Sequence, residues 1–325
     1  MPTSDNFQIT QVQQPLEPTH GVRLKTIWLS IDPYMRARMS SRPSYTDPTG
    51  IGDVMPGGTV SQVVASSRSE FRIGDFVLGY TGWQSYADSD GSGLRKLDPA
   101  VAPVSTALGV LGMPGMTAYT GLLNIGQPKA GETLVVAAAA GAVGSAVGQI
   151  ARIRGCRVVG IAGGPEKVAY LKDVLGFDAA IDHRSERFAA ELAKACTRGI
   201  DIYFENVGGE VWKAVRPLLN PFARIPVCGV IANYNEDGSI KGDQSADDLM
   251  RLTLFKRLRI QGFIVSDYAS QEQEFLGDAT AWYRQGRLKH KEHVTEDIRN
   301  APRALIGLLK GENFGKQLVK VADAD

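Results

Sequence analysis

From residue 131 onward, apolar runs alternate with amphipathic stretches along the chain. Runs rich in valine and isoleucine, such as "TLVVAAA", "RVVGIAG" and "IDIYFENV", are each followed by residues with the apolar spacing of a helix. Continuous apolar runs predict strands buried on both faces, and the intervening helices predict a parallel sheet that they cover. Six such strands are predicted, the last of them in "LRIQGFIV". Since crossovers between parallel strands are right-handed, the pattern predicts a doubly wound, Rossmann-type α/β domain.

The pattern before residue 100 is different, because short runs replace the strand–helix alternation. "VRLKTIWLSI" alternates apolar and polar positions, which predicts a half-buried strand. Short runs bounded by glycine and aspartate, such as "GDFVLGY", predict further strands. A helical spacing first appears in "TALGVLGMPGMTAYTGLLNIG", and it stops at Gly126 with Pro128 beyond. A closing helix in "APRALIGLLKG" and a strand in "KQLVKV" could join either domain, because periodicity does not decide between them.

Composition narrows the class of protein. A chain of 325 residues with 43% hydrophobic content suits two domains. A net charge of +1 gives no general attraction to nucleic acid or membranes. The three cysteines lie far apart, which indicates a reducing compartment rather than a disulfide framework. The N-terminus lacks a signal pattern and there is no long apolar run, so we expect a soluble, cytoplasmic protein.

A glycine pattern follows the first predicted parallel strand. In the dinucleotide fingerprint G-x-G-x-x-G, the glycines serve a tight turn, close approach of the pyrophosphate and helix–strand packing. Here the register is Ala139-x-Gly141-x-x-Gly144, so only the turn glycine is replaced. The helix that follows would offer free N–H groups and its positive end to phosphate. A tightly packed corner without a ligand is the alternative, but the repeated strand–helix context favours a dinucleotide site.

The choice between the two nicotinamide cofactors depends on the end of the second strand, about 20 residues on. An NAD site has a carboxylate there, whereas this chain has Gly163 and Gly164, with Lys167 following. A missing acid removes repulsion of a 2′-phosphate, and a cation attracts it. His183 and Arg184, after the third strand, could join the same pocket. The pattern favours NADPH, although Lys167 could also be an ordinary solvated residue.

The sequence contains no motif typical of metal catalysis or of acyl transfer. Catalytic zinc in dehydrogenases takes cysteine and histidine ligands, but no cysteine precedes residue 156 and His20 is the one histidine of the first predicted domain. His290 and His293 lie three residues apart without a third ligand nearby, so we expect no metal. There is also no G-x-S-x-G nucleophile elbow.

Hydride transfer without a metal suits an alkene conjugated to a carbonyl, because the negative charge moves to the carbonyl oxygen, where a donor stabilises it. A tyrosine hydroxyl, with a pKa near 10, stays protonated at neutral pH and can donate to that oxygen. Tyr234 follows the fifth Rossmann strand, at the strand end where ligands bind in such sheets. Tyr45, on a loop rich in proline and serine, is a second candidate with an exposed loop aromatic as the alternative.

Several stretches together resemble the zinc-independent medium-chain dehydrogenase/reductases, and within them the prostaglandin reductase and alkenal double-bond reductase group. These stretches are "LSIDPYMRARMS", "GMPGMTAYTGLL", "AAAAGAVGSAVGQIA", "ENVGGE", "ARIPVCGVIANYN" and "ENFGKQLVKV". The resemblance extends from residue 29 to residue 321. "GDVMPGGTVSQVV", "LGYTGWQSY" and the order of residues 124–139 are most similar to the bacterial NADPH-dependent curcumin reductases.

The resemblance implies a GroES-like catalytic domain over residues 1–112, a Rossmann domain that binds NADPH over 113–285, and a segment 286–325 that rejoins the catalytic domain. It implies a zinc-independent ene reductase that transfers hydride to the β-carbon of an α,β-unsaturated ketone or aldehyde, with a homodimer as the common assembly. Quinone reduction and a non-catalytic NADPH-binding role stay open as alternatives.

The resemblance also assigns residues. Tyr234 matches the tyrosine proposed to stabilise the enolate, and Pro33, Tyr34 and Met116 match the floor of the active-site cleft, where Tyr45 is a further candidate. The positions that match cofactor contacts are Pro33, Gly141, Ala142, Val143, Gly144, Gly164, Lys167, His183, Asn206, Cys228, Gly229, Val230, Phe263, Ile264, Val265 and Asn313. Many relatives have tyrosine where His183 stands, so that contact is open. The N-terminal segment is shorter than in relatives, so we expect its first strand to be missing or altered.

Overall fold

The structure is a computed structural model that describes residues 1–13, 21–41, 44–235 and 246–325. The chain divides into two compact units, Met1–Gly112 together with Lys291–Asp325, and Met113–His290. His20 lies outside the described residues. Within the described ranges, every helix is too short or too polar to cross a membrane.

The secondary structure follows in chain order. The strands are β1 (Val22–Ser30), β2 (Thr59–Ser66), β3 (Phe76–Gly79), β4 (Tyr86–Ser89), β5 (Arg95–Leu97), β6 (Thr133–Val136), β7 (Arg157–Ala162), β8 (Ala179–Asp182), β9 (Ile200–Phe204), β10 (Leu219–Val227), β11 (Arg259–Gly262), β12 (Glu292–Glu296) and β13 (Lys316–Lys320). The α-helices are α1 (Tyr34–Arg38), α2 (Met113–Thr120), α3 (Ala142–Ile153), α4 (Pro165–Ala169), α5 (Phe188–Ala195), α6 (Gly209–Val215), α7 (Ala246–Lys256), α8 (Glu272–Arg284) and α9 (Ala301–Leu309). Two π-helical segments, Gly121–Gly126 and Tyr170–Val174, continue α2 and α4.

The unit that contains the N-terminus is built on a largely antiparallel sheet in the order β12-β13-β1-β2-β3-β5, with β4 also pairing with β1. The prediction that β1 is half-buried is wrong, because apolar clusters cover both faces of the sheet. Leu24 packs with Val63, whereas Leu29 belongs to a separate cluster. The polar Arg23 is buried as well, and its guanidinium bonds Asp88 at 2.7 Å.

The unit Met113–His290 contains a parallel sheet in the order β8-β7-β6-β9-β10-β11 among the described residues. The strand order reverses between β6 and β9, which confirms the predicted doubly wound fold. In such sheets ligands bind outside the carboxyl ends of the strands, at the point of reversal. The site is therefore to be sought at the ends of β6, β7, β9 and β10.

The helix predicted before β6 is observed as several shorter segments. A 3-10 turn over Val104–Leu108 is followed by a tight return, and α2 begins at Met113. A β-carbon placed on Gly112 would lie 1.8 Å from the Ala107 carbonyl oxygen, so the chain folds back there at a distance that only glycine allows. The segment ends at Gly126 as predicted, and Gln127 takes a left-handed conformation with φ of 47°.

Candidate active site

The loop between β6 and α3 forms the first part of the site. Ala138 has φ of 51°, a conformation that costs an L-residue about 1 kcal/mol and is typical of functional loops. Its carbonyl oxygen accepts the Gly141 N–H at 2.9 Å, which turns the chain into α3. No side chain caps α3 at Gly141, so the first N–H groups of the helix, from Ala142 to Gly144, are oriented to receive an anion.

Glycine is required in this loop at Gly144. A β-carbon there would lie 2.4 Å from the Ala138 carbonyl oxygen, which is the close helix–loop contact of the fingerprint. Ala139, at the position of the first fingerprint glycine, is fully buried, and its N–H donates to Ile161 of β7 at 2.9 Å. A β-carbon on Gly160 would lie 3.0 Å from the Ala139 methyl group. The methyl group therefore occupies space that a glycine in the neighbouring strand leaves open.

Basic side chains meet at the carboxyl ends of β7 and β8. A β-carbon on Gly163 would lie 2.8 Å from Nε2 of His183 and 2.9 Å from Nε of Arg184. Burial and the nearby Arg184 charge lower the pKa of Lys167, and burial, Arg184 and Lys167 lower the pKa of His183. Asp182 accepts the backbone N–H of Arg184 at 2.9 Å, which holds this turn in place. Mutual repulsion of these groups would be relieved by an anion bound among them.

Asn206 connects the two strands at the point of reversal. Its Nδ2 donates to the Ala137 carbonyl oxygen at 2.8 Å, so the end of β9 is joined to the start of the phosphate loop. Glu205, before it, is 4% exposed, and its Oε1 accepts from the Tyr203 hydroxyl and the Val207 and Gly208 N–H groups at 2.7–2.9 Å. Burial raises the pKa of Glu205, although these hydrogen bonds partly offset that effect.

The Tyr234 hydroxyl lies over Gly229, just beyond the carboxyl end of β10. A β-carbon on Gly229 would be 2.9 Å from the hydroxyl oxygen and 3.8 Å from the Asn206 backbone oxygen. Burial, together with Glu205, raises the pKa of the adjacent Cys228 thiol to about 12, so this thiol is protonated at neutral pH. The structure thus brings Tyr234, Gly229 and Asn206 together at one end of the sheet.

Comparison with known proteins identifies the family. A family model described as the N-terminal domain of oxidoreductases matches residues 1–97, and one described as a zinc-binding dehydrogenase matches residues 142–281. The NADPH-dependent curcumin reductase of Escherichia coli is 52% identical over 325 residues, covering all of this chain and 94% of the relative. Prostaglandin reductase 1 of Rattus norvegicus is 43% identical, covering 98% of this chain and 95% of the relative. The crystal structure of CurA from Vibrio vulnificus in complex with NADPH has a TM-score of 0.95 and 54% identity, covering 99% of this chain and 96% of that one.

This chain belongs to the medium-chain dehydrogenase/reductase family. The resemblance inferred from the sequence motifs is confirmed by these relatives, as is the group of double-bond reductases within the family. Although one matching family model is described by its zinc, the described ranges of this family member contain no group of three histidine, cysteine or acidic side chains that could hold a metal ion.

Further predicted cofactor contacts lie at the ends of β10 and β11. Val230 is 37% exposed and follows Gly229 directly. The Phe263 ring, in contrast, is buried against Phe204, with ring centroids 6.2 Å apart. Its neighbours Ile264 and Val265 are partly exposed after β11. Of this segment, Ile264 and Val265 are therefore partly accessible, while the Phe263 ring serves packing.

Other predicted site residues of this dehydrogenase/reductase belong to different elements of the chain. Met116 is 8% exposed within α2, and its backbone oxygen accepts the Thr120 hydroxyl. In the other unit, Pro33 precedes α1, and burial and Asp32 raise the pKa of Tyr34 at the start of that helix. Two further residues of the same unit are predicted contacts, Tyr45 at 58% exposure and Asn313, whose Nδ2 donates to the Gly315 oxygen at 2.8 Å.

Sequence reasoning missed two residues that organise the site. Glu205 directly follows the apolar run of "IDIYFENV". A carboxylate at the end of a buried strand needs hydrogen-bond partners, so this position could have indicated a residue that organises the site. Gly160 could be recognised only through the register of β6 against β7, in which Val136 pairs with Gly160. Its role depends on that pairing and not on any local motif.

Proposed function

We propose that this protein is an NADPH-dependent ene reductase that acts on a C=C bond conjugated to a ketone or aldehyde. The observation that carries the proposal is the placement of the Tyr234 hydroxyl beside Gly229 and Asn206, at the carboxyl ends of the strands, where doubly wound sheets bind their ligands. The names of the Escherichia coli and Rattus norvegicus relatives, a curcumin reductase and a prostaglandin reductase, support the same reaction class.

The residues present fit NADPH. The first turn of α3 and the space that Gly144 leaves open suit the pyrophosphate, and the cluster of Lys167, His183 and Arg184 suits a 2′-phosphate. The relative from Vibrio vulnificus was crystallised with NADPH. When bound, this cofactor supplies the hydride for the reaction. Residues near the nicotinamide would be Asn206, Cys228, Gly229, Val230 and the segment 263–265.

The chain itself contributes the stabilisation of charge. As the β-carbon of the substrate gains a hydrogen with its electron pair, the C=C π electrons move to the carbonyl oxygen and an enolate forms. The Tyr234 hydroxyl donates a hydrogen bond to that oxygen, and the α-carbon then takes a proton from this hydroxyl or from water. Tyr34, Tyr45 and Met116 are the residues we assign to the substrate side.

The substitution Tyr234→Phe tests this role. Removing one oxyanion donor lowers kcat by about 10²–10³-fold, while NADPH affinity stays within twofold of the wild type. Stopped-flow and steady-state NADPH oxidation with an enone measure the first quantity, and fluorescence titration measures the second. Tyr86→Phe, at a partly exposed tyrosine of β4, is the matched control. Unchanged turnover would remove Tyr234 from the mechanism, and oxidation of NADPH by a 1,4-quinone but by no enone would overturn the reaction class.

The substitution Lys167→Ala tests the choice of cofactor. Loss of one charge-assisted contact weakens NADPH binding by about tenfold or more, whereas NADH, which lacks the 2′-phosphate, keeps its affinity. Lys172→Ala, an exposed lysine in the following π-helical segment, is the matched control and should change neither affinity. An equal loss for both cofactors would contradict the 2′-phosphate assignment.

We also propose that the first unit serves as the catalytic domain and that the enzyme is a cytoplasmic homodimer. Free cysteines suit a reducing compartment. β11 is an edge strand among the residues that the structure describes. The preceding helix α7 exposes Leu249, Met250, Leu254 and Phe255, an apolar surface typical of an interface. Sedimentation of a Met250→Glu, Leu254→Glu variant as a monomer, against a dimeric wild type, would support this assembly, and a monomeric wild type would contradict it.

A further inference from the structure

A cavity of about 260 Å³ opens on the unit Met113–His290, and its lining residues are not among those predicted for the active site. Its lining combines cationic and apolar side chains with two glycines and carries no carboxylate. The lining residues are Gln149, Arg152, Ile153, Val174, Leu175, Gly176, Gly286, Arg287 and Lys289. Three of these nine residues are cations, so the cavity is a positively charged recess.

The cavity lies at the end of α3 opposite to the phosphate loop. Gln149, Arg152 and Ile153 belong to the last turns of α3, and Gly176 precedes β8. The cavity is therefore at the amino ends of the parallel strands, whereas the predicted cofactor residues are at the carboxyl ends of these strands. Because α3 has 12 residues, the two ends are separated by about 18 Å. An anion in the cavity would therefore occupy a site distinct from the one proposed for NADPH.

Arg152 is held in place at the cavity wall. Its Nη1 donates to the Leu175 carbonyl oxygen at 2.9 Å. A β-carbon on Gly176 would lie 2.3 Å from the same nitrogen, so this glycine leaves the space that the guanidinium occupies. This contact uses one of the five N–H donors of the guanidinium group, so four donors are left for a ligand. The group is thus positioned before any ligand arrives.

Lys289 is positioned by a buried amide. The Gln149 side chain is 3% exposed, accepts the Lys289 N–H at 2.7 Å and donates to the Lys289 carbonyl oxygen at 3.0 Å. The ammonium group of Lys289 donates to the Val174 carbonyl oxygen at 2.9 Å. This arrangement fixes both the backbone and the charge of residue 289 at the cavity.

The surroundings of Arg287 favour a ligand site over simple capping of a helix end. Arg152 and Lys289 bond the carbonyl groups that end the π-helical segment, a role that cations often take at helix ends. The Arg287 guanidinium, in contrast, makes no hydrogen bond or ion pair with any residue in the described part of the chain. A capping function does not account for a third cation at the same recess.

We propose that this cavity binds a phosphate group, as inorganic phosphate or as a small phosphomonoester. Guanidinium forks match phosphate oxygens in pairs, and a lysine adds a third charge. The lining provides no carboxylate to compete for Arg287. Since one water molecule occupies about 30 Å³ of liquid, 260 Å³ accommodates a phosphate with a small attached group.

Isothermal titration calorimetry with inorganic phosphate and with glycerol 3-phosphate tests the proposal. The protein is saturated with NADPH, so that the cofactor's own phosphate sites are filled, and ionic strength is held constant with sodium chloride. One saturable site per chain is expected, and its affinity should fall by about tenfold or more in Arg287→Gln and in Lys289→Gln. Tighter binding of glycerol 3-phosphate identifies a phosphomonoester as the ligand, and equal or weaker binding identifies phosphate itself.

Arg284→Gln is the matched control, because it removes the same charge from an exposed position of α8 that does not line the cavity. Its phosphate affinity should equal that of the wild type. Melting temperatures of the variants show whether each one is folded. The proposal is overturned if NADPH-saturated wild-type protein shows no saturable heat with either ligand, or if Arg284→Gln loses as much affinity as Arg287→Gln.

Discussion

The phosphate loop offers a sharp test in Gly144→Ala. The added methyl group would lie 2.4 Å from the Ala138 carbonyl oxygen and 2.9 Å from the Ala139 Cα atom. Both are backbone atoms, so the clash cannot be relieved by a side-chain rotation. Overpacking of this kind costs about 1–3 kcal/mol, and replacement of a helical glycine by alanine returns about 1 kcal/mol. We expect a net destabilisation of about 0–2 kcal/mol.

The contact predicts a second effect beyond stability. Relief of the clash has to move the Ala138 turn away from the start of α3, which displaces the N–H groups that would hold the pyrophosphate. Loss of one hydrogen bond to a charged group corresponds to a tenfold or greater rise in Kd, about 1.5 kcal/mol or more. Fluorescence titration with NADPH measures this change, and thermal unfolding measures the loss of stability.

Gly148→Ala is the matched control on the same helix. Its methyl group would lie 2.0 Å from the buried Phe177 ring, so this variant should also be destabilised. That clash lies one turn away from the phosphate loop, and NADPH affinity should stay near the wild-type value. The reasoning is refuted if Gly144→Ala binds NADPH as tightly as the wild type, or if both variants lose affinity equally.

Two further predictions concern buried charges. Burial raises the pKa of Glu205, so the folded state binds its proton more readily and loses stability as pH rises from about 4 through the raised pKa. Glu205→Gln removes this dependence, and its melting temperature relative to the wild type should rise with pH; a constant difference would contradict the argument. Arg224 forms a bidentate ion pair with Glu132 in which both side chains are less than one-fifth exposed. Arg224→Met should cost about 3 kcal/mol in urea unfolding, with most of it recovered by adding Glu132→Leu, and no recovery would refute the assigned cost of an unpaired carboxylate.

Strand prediction succeeded where strands are buried on both faces, because valine and isoleucine runs leave little ambiguity. β10 shows the limit of that approach. The apolar run "ARIPVCGVI" predicts a strand that begins at Ala223, whereas the observed strand begins at Leu219 and includes Phe222 with φ of 66°. Proline and a left-handed residue are typical of a turn, but here the register against β9 shifts between Leu219 and Arg224, as in a bulge. Only the pairing partner reveals this irregularity.

The candidate site was predictable where chemistry is local. Gly144 and Lys167 are predicted from their spacing after a strand, because a pyrophosphate at a helix start needs glycine for close approach and a 2′-phosphate favours a nearby cation. The effect of Ala139 was not predictable, since the space for its methyl group depends on Gly160 in the next strand. Contacts between strands depend on register, which a single sequence does not specify residue by residue.

Glu205 shows how a buried charge can order a site without facing its ligand. Its carboxylate accepts two N–H groups of its own turn, and its backbone oxygen accepts the N–H groups of Cys228 and Gly229 at 2.9 and 3.2 Å. One residue thereby joins the end of β9, which carries Asn206, to the end of β10, which leads to Tyr234. The carboxylate is satisfied from within the fold, by the Tyr203 hydroxyl and two backbone N–H groups. These hydrogen bonds hold the turn that carries Asn206 and the strand end that leads to Tyr234, so an interior hydrogen-bond network supports the geometry of the proposed reaction.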